Sequence, residues 1–281
     1  MLLSQKDMNR GIIMAKGMNV LFVTPEIVPY AATGGLADVG EALPYALKDE
    51  GASVTRVMPK YKGIEDRFPL KKSFSFIVEA GGKANVADIY KLEDQGLITY
   101  FIGSDCYFER DDFYGFEDDG ERFGFFCKAA LEMLMYLNLK PEIIHLNDWQ
   151  TAMMGLFLKE EYSVLDFYKD IKVMFTIHNL QYQGVFEKDT LDALNLSTKY
   201  FNVEGIEYYG KICFMKAGIV YGDLVTTVSE TYADEIQTPW YGYGLDGILR
   251  KYNYKIMGIV NGIYNDKNNP DTVAALMLNL N

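Results

Sequence analysis

The chain has 281 residues, 49% of them hydrophobic and 23% charged, enough apolar material for one large or two modest globular domains and too much for a disordered chain. With 27 Lys and Arg against 39 Asp and Glu, the formal charge is −12, and this field repels phosphate backbones and anionic lipid. A nucleic-acid role would need a local basic patch, and the densest pair, Lys71-Lys72, reads as solvated surface.

Cys106, Cys127 and Cys213 lie far apart without CxxC spacing, two of them in apolar runs, which predicts buried reduced thiols and a cytoplasmic setting. Residues 1–17 hold only scattered apolar side chains and no secretory pattern, and no run of roughly 18 apolar residues could span a membrane. They are expected to form a disordered extension, with Met18 as an alternative start. Residues 18–263 are expected to form one domain and 264–281 a tail.

From Asn19 onward, short runs rich in Val and Ile alternate with stretches of helical period, the pattern of βα units around a mainly parallel, doubly wound sheet. Asn19 to Thr24 reads as a buried strand. A helix from Leu36 to Glu50 stops at Gly51, and Pro44 either kinks it or marks its end. Ser53 to Met58 is the next strand, followed by a polar stretch to about Gly96 that is expected to hold antiparallel hairpins. Leu97 to Ile102 is again a strand, and Glu121 to Leu139 a long helix whose apolar face includes Phe125, Phe126, Ala129 and Leu131. Strands Glu142 to His145 and Lys172 to Ile177 flank a helix from Trp149 to Tyr162. A helix from Gly210 to Tyr221 precedes strand Leu224 to Ser229, and Lys255 to Val260 closes a series of seven parallel strands.

In such sheets ligands bind beyond the carboxyl ends of the strands, so polar residues there are the candidates. The first strand runs into Glu26, and Thr33-Gly34-Gly35 opens the first helix. Two glycines at a helix start let a ligand approach the backbone, and the unpaired N–H groups favour an anion such as phosphate. On the pair alone, an ordinary turn is the default. The chain has two histidines, His145 and His178, and both end predicted strands, which would bring them to one crevice. Asp148 would serve as the cap of the following helix or as an acceptor for a sugar hydroxyl, the cap being the default. Asn179 and Asn261 also follow strands and could pair with hydroxyls, although Asn is common in turns. The chain has no GxGxxG after the first strand, P-loop, HExxH, EF-hand or GxSxG pattern. Asp111-Asp112 and Asp118-Asp119 read as solvated surface rather than a metal site.

The segment TPEIVPYAATGGLADVGEALPYAL resembles the opening of bacterial glycogen synthases and plant starch synthases. Six further blocks follow in the same order: YFERDDFYGFEDDGERFGFFCKAALEML, IIHLNDWQTAMM, FTIHNLQYQGVF, GKICFMKAGIVYGDLVTTVSETYADEI, YGYGLDGIL and GIVNGI. The resemblance implies the N-terminal half of a GT-B glycosyltransferase, which needs no metal and transfers glucose with retention from ADP-glucose to an α-1,4-glucan. It also implies that most of the ADP-glucose is held by a C-terminal domain, encoded either in a longer form of this protein or separately. Carried over by position, Gly34 and Gly35 would meet the donor phosphate and sugar, and His178 would lie beside the reacting carbon. Asp148 would act on the acceptor side in catalysis, with Asn179 and Asn261 lining the cleft toward the donor. Glu26 would organise the glycine loop, and Glu26, Tyr114 and His145 would serve acceptor binding.

Two departures stand out. Where the family pattern reads Lys-Thr-Gly-Gly-Leu, this chain has Ala32-Thr33-Gly34-Gly35-Leu36, so a cation expected beside the donor phosphates is missing, at an expected cost of several kcal/mol in the transition state, on the order of an oxyanion-hole donor. Tyr264 stands where the family usually has Asp, and no donor-side motifs follow it. The alternatives are therefore an enzyme half and a catalytically silent glucan-binding module. A GT-B enzyme for another nucleotide sugar is a weaker third.

Overall fold

A computed structural model describes residues 17–80 and 83–262. The expected N-terminal extension, apart from Gly17, lies outside the described residues, as do Tyr264 and the tail. The chain opens with β1 (Asn19–Val23), α1 (Gly35–Asp49), β2 (Ser53–Pro59) and the short α2 (Ile64–Arg67). It continues with β3 (Lys71–Ala80), β4 (Lys83–Asp94), β5 (Leu97–Gly103), α3 (Asp119–Tyr136), β6 (Ile143–Asn147), α4 (Trp149–Leu156) and β7 (Lys172–Ile177). Then come β8 (Val185–Phe186), α5 (Thr190–Ala193), β9 (Glu207–Tyr208), β10 (Lys211–Cys213), α6 (Phe214–Tyr221), β11 (Leu224–Thr227), α7 (Glu230–Glu235), α8 (Asp246–Lys251) and β12 (Ile256–Gly258).

Nine strands form one sheet in the order β12-β11-β7-β6-β1-β2-β5-β4-β3, and β8, β10 and β9 form a small second sheet. The seven expected strands run parallel, the inner ones short apolar runs buried between helices, whereas the edge strand β12 stays partly exposed. The polar stretch before Gly96 supplies the antiparallel edge, the long β3-β4 hairpin, and Gln95-Gly96 turns β4 into β5 with both φ angles positive. The main core fills the face under α3, α4 and α6, with Phe123, Phe126, Met153 and Phe175 fully buried. On the opposite face, Leu43 and Leu47 of α1 pack with Val20, Phe22 and Val54.

Pro44 does not end α1, which continues to Asp49. The residue four positions back is Gly40, which is buried, and a Cβ there would stand 2.5 Å from the Glu26 carbonyl. Its absence lets the helix lie directly on the loop after β1. The helix expected from Gly210 begins at Phe214 instead, because Lys211–Cys213 pairs with strands on both sides and Tyr209-Gly210 forms the turn. The helix from Trp149 changes from α to π form at Phe157. Strand β11 stops at Thr227, and Ser229 caps α7 by accepting from the Tyr232 N–H at 2.9 Å. Asp119 is not solvated surface: it is buried, ion-paired with the fully buried Arg122, and accepts from the Gly115 N–H at 2.7 Å. Neighbouring Asp118 pairs with Arg110.

All three cysteines are free. Cys127 and Cys213 are buried, whereas Cys106, just past β5, is exposed. Among the described residues, no helix is long and apolar enough to cross a membrane.

Candidate active site

From β1 the chain winds outward through β2 to β5, then returns to place β6 on the other side of β1. The connections leaving β1 and β6 therefore diverge and open a crevice at the carboxyl ends, the usual ligand position in doubly wound sheets. The segment after β1 brings Glu26 to it, β6 brings Asn147 and Asp148, β7 brings His178, and the chain after β12 brings Asn261.

Glu26 is buried, and its carboxylate is fully engaged. One oxygen accepts the Thr33 backbone N–H at 2.5 Å, and the other accepts the Thr33 hydroxyl at 2.6 Å and the Tyr114 hydroxyl at 2.7 Å. Glu26 thus ties down the residue before the glycine pair, and Tyr114 braces Glu26 from the loop after β5. Burial and the nearby carboxylate hold the Tyr114 phenol well above its usual range, so it remains a donor. Gly34 caps α1 with no side-chain bond, and its φ of −163° is open to any residue. A Cβ at Gly34 or Gly35 would meet nothing within 4 Å among the described residues. Ala32, beside them, is exposed.

At the end of β6, Asp148 adopts a φ of 56°, uncommon for a side chain with a Cβ. It occupies the cap position of α4, but its carboxylate makes no capping bond. The default reading is thereby corrected: one oxygen accepts the His178 N–H at 2.7 Å, joining the ends of β6 and β7. Burial pushes the Asp148 carboxyl up to about 7, against the backbone N–H groups of His178 and Asn179, which favour the charged form. Asn147 gives its amide N–H to the Val23 carbonyl at 3.0 Å, which turns its oxygen toward His178 Nε2, also at 3.0 Å. Nε2 then carries the proton and Nδ1 the lone pair. Burial pushes the His178 imidazole down to about 4, so it is neutral at pH 7.

The structure separates the two histidines. Strand β6 runs two residues past His145, which is buried within the sheet with its ring edge-on to Phe22. Its Nε2 pairs with the Thr176 hydroxyl at 2.7 Å, which pairs in turn with Thr226 at 2.6 Å. Burial, then the neighbouring His178, pushes it down to about 3. A cavity of about 260 Å³ is lined by His145, Asn147, His178, Thr227 and Asn261 together with Leu43 and Leu47 of α1. Asn179 is exposed, and its side-chain oxygen accepts the Gln181 N–H at 3.0 Å, a local turn. Sequence reasoning missed Asn147 and the clamping role of Thr33. Asn147 was detectable, because it stands two residues after His145 and so shares its face of the strand.

A doubly wound α/β domain with its polar groups at the β1/β6 switch point has the architecture of one half of a GT-B glycosyltransferase. The model for the family "starch synthase catalytic domain" matches residues 19–251, and the chain belongs to the glycogen and starch synthase family. It is 49% identical over 265 residues to a glycogen synthase of Desulforamulus reducens, covering 93% of this chain and 55% of that protein. With a glycogen synthase of Clostridioides difficile the identity is 50% over 260 residues, covering 90% and 54%. Among solved structures, the catalytic domain of starch synthase IV from Arabidopsis thaliana, bound to ADP and acarbose, superposes with a TM-score of 0.85 at 32% identity, covering 92% of this chain and 54% of that one. The chain spans about half the length of these relatives.

Proposed function

We propose that this chain supplies the acceptor-side half of a site that transfers glucose from ADP-glucose to the non-reducing end of an α-1,4-glucan, with the donor nucleotide held largely by a second domain. The observation that carries this reading is the Glu26 clamp. It fixes Thr33 and so presents two glycines that the fold itself does not require, with open space over the first N–H groups of a 15-residue helix. Those groups suit the phosphate oxygens of a leaving ADP. In the transfer, the bond from the anomeric carbon to the phosphate oxygen breaks with its electron pair going to ADP. The acceptor hydroxyl oxygen bonds the same carbon on the same face and passes its proton to the leaving phosphate oxygen of ADP.

His178, neutral and oriented by Asn147, would contact the donor glucose without placing a cation beside a carbon that develops positive charge. Asp148, titrating near neutral pH, would accept a hydrogen bond from an acceptor hydroxyl. Asn179 and Asn261 would line the path between them. No metal or other cofactor enters this scheme. Three unpaired cysteines suit a reducing compartment such as the cytoplasm. With Ala32 at the family's lysine position, the backbone N–H groups carry the phosphate charge alone on this side, and slow turnover is expected.

The test is incorporation of label from ADP-[¹⁴C]glucose into glycogen, with and without a donor-side domain supplied. Incorporation is expected in the paired state. Its absence there overturns the enzyme reading, and retention on glycogen without incorporation would make the chain a silent glucan-binding module.

A further inference from the structure

A larger cavity, of about 400 Å³, lies between the β9-β10 hairpin and α8, lined by Glu204, Glu207, Tyr208, Tyr209, Lys216 and Lys251. None of these residues belongs to the strand-end site, and the volume falls in the range of small-molecule pockets, roughly 300–1,000 Å³. Two tight turns meet at its edge. Tyr209-Gly210, the two-residue loop of the hairpin, has φ angles of 49° and 81°, and Tyr243-Gly244 has 46° and 83°. A pair of positive φ angles suits Asn-Gly or Gly-Gly, whereas a tyrosine in the first position strains the backbone.

Burial does not repay the strain, since Tyr209 is 80% and Tyr243 46% exposed. The turns are nevertheless locked together. The Tyr208 hydroxyl donates to the Tyr243 carbonyl at 2.6 Å, and the Gln183 amide donates to the same oxygen at 3.1 Å. At Gly244 a Cβ would stand 2.5 Å from the Tyr208 hydroxyl and 3.3 Å from the Tyr209 ring, so the absent side chain lets both rings close over the turn. Tyr208 also holds the Tyr209 ring edge-on, with centroids 4.7 Å apart. The result is an exposed aromatic ring kept in a fixed orientation at the mouth of a cavity.

We propose that this cavity is a second binding site for an α-glucan chain, separate from the strand-end site, with Tyr209 as its stacking platform. A pyranose offers an apolar face to an aromatic ring and pairs of hydroxyls to charged groups. Glu204 and Lys251 supply such groups as an ion pair on the lining. Buried Lys216 spends two of its three N–H groups on the Val203 and Glu207 carbonyls, at 2.7 and 2.6 Å, and has one left for a hydroxyl. The choice of a glucan as ligand rests on the proposed function. The strained, exposed platform does not.

Tyr209→Asn separates the alternatives, because Asn tolerates the left-handed turn and removes the ring. The expected result is a raised Tm with at least a fivefold weaker retention by glycogen in affinity electrophoresis, while label transfer from ADP-glucose to maltotriose, in the presence of a donor-side domain, stays unchanged. Unchanged retention, or a fall in Tm showing that the ring is structural, overturns the second site. So does a wild-type chain that glycogen does not retain. Loss of transfer in the wild-type chain with Tyr209-dependent retention intact would count against the proposed transfer reaction alone.

Discussion

At Gly35 the helix begins with a residue that any L-amino acid could replace as far as the described residues are concerned: among them its Cβ would meet nothing within 4 Å. Replacing it by alanine should leave stability unchanged or raise it by up to about 1 kcal/mol, since alanine loses less backbone entropy. If the open space belongs to the donor phosphate and sugar, Gly35→Ala should nevertheless cut glucose transfer by about 10²-fold, the effect of losing one anion-stabilising donor. Thermal melts and the label-transfer assay on the same preparation check both halves. At this scale the sequence was informative where chemistry is rare. Two histidines in the whole chain drew attention to the right strands, but the distinction between them depends on where β6 ends, two residues past His145. Asp148 stands at the cap position that was its default reading but makes no side-chain capping bond, because its φ of 56°, which turns the carboxylate to His178, leaves no mark in residue identity.

Among the elements, α1 bears most directly on the site. It lies on the loop that carries Glu26, and Gly40 sets how closely it can approach. Gly40→Ala would drive a methyl into the Glu26 carbonyl, a backbone atom that cannot swing aside. A destabilisation of about 1–3 kcal/mol is expected from such overpacking, read as a lower urea midpoint with an unchanged m-value. The central strands were legible from their Val- and Ile-rich runs. The start of α6 was not, because ICFMKAGIV is apolar apart from Lys216, and a nearly continuous apolar run does not distinguish a strand from a buried helix. Only the pairing of Lys211–Cys213 with β8 and β9 settles it.

At the scale of the whole molecule, the three titratable groups of the crevice contribute to pH dependence with shifts that oppose one another. His145 and His178, held near 3 and 4 against an ordinary 6.5, are protonated when unfolded and neutral when folded between about pH 4 and 6.5. Their contribution is therefore lost as pH falls through that window. Asp148, raised to about 7 from 3.8, has the opposite sign: the folded state keeps a proton that the unfolded state gives up, so its contribution is lost as pH rises from 3.8 to 7. Two protons against one make the joint contribution of these three groups to stability rise with pH from about 4.5 to 6. Asp148→Asn removes the opposing term and should steepen that rise by about 1.4 kcal/mol per pH unit, measurable by urea denaturation at several pH values. The strand count was readable along the chain. The order β12-β11-β7-β6-β1-β2-β5 was not, because each apolar run would fit any central position.

The uneven burial of the cysteines has a practical corollary. Burial pushes the Cys213 thiol up to about 12 and the Cys127 thiol far above its usual range, so both stay protonated and shielded in the native chain. Cys106 alone is open to solvent, and it lies on the same β5-α3 connection that carries Tyr114 to Glu26. The native protein thus offers a single address for a fluorophore or spin label. That address is on the loop bracing the glycine clamp, where a ligand settling into the crevice could be followed without removing any residue.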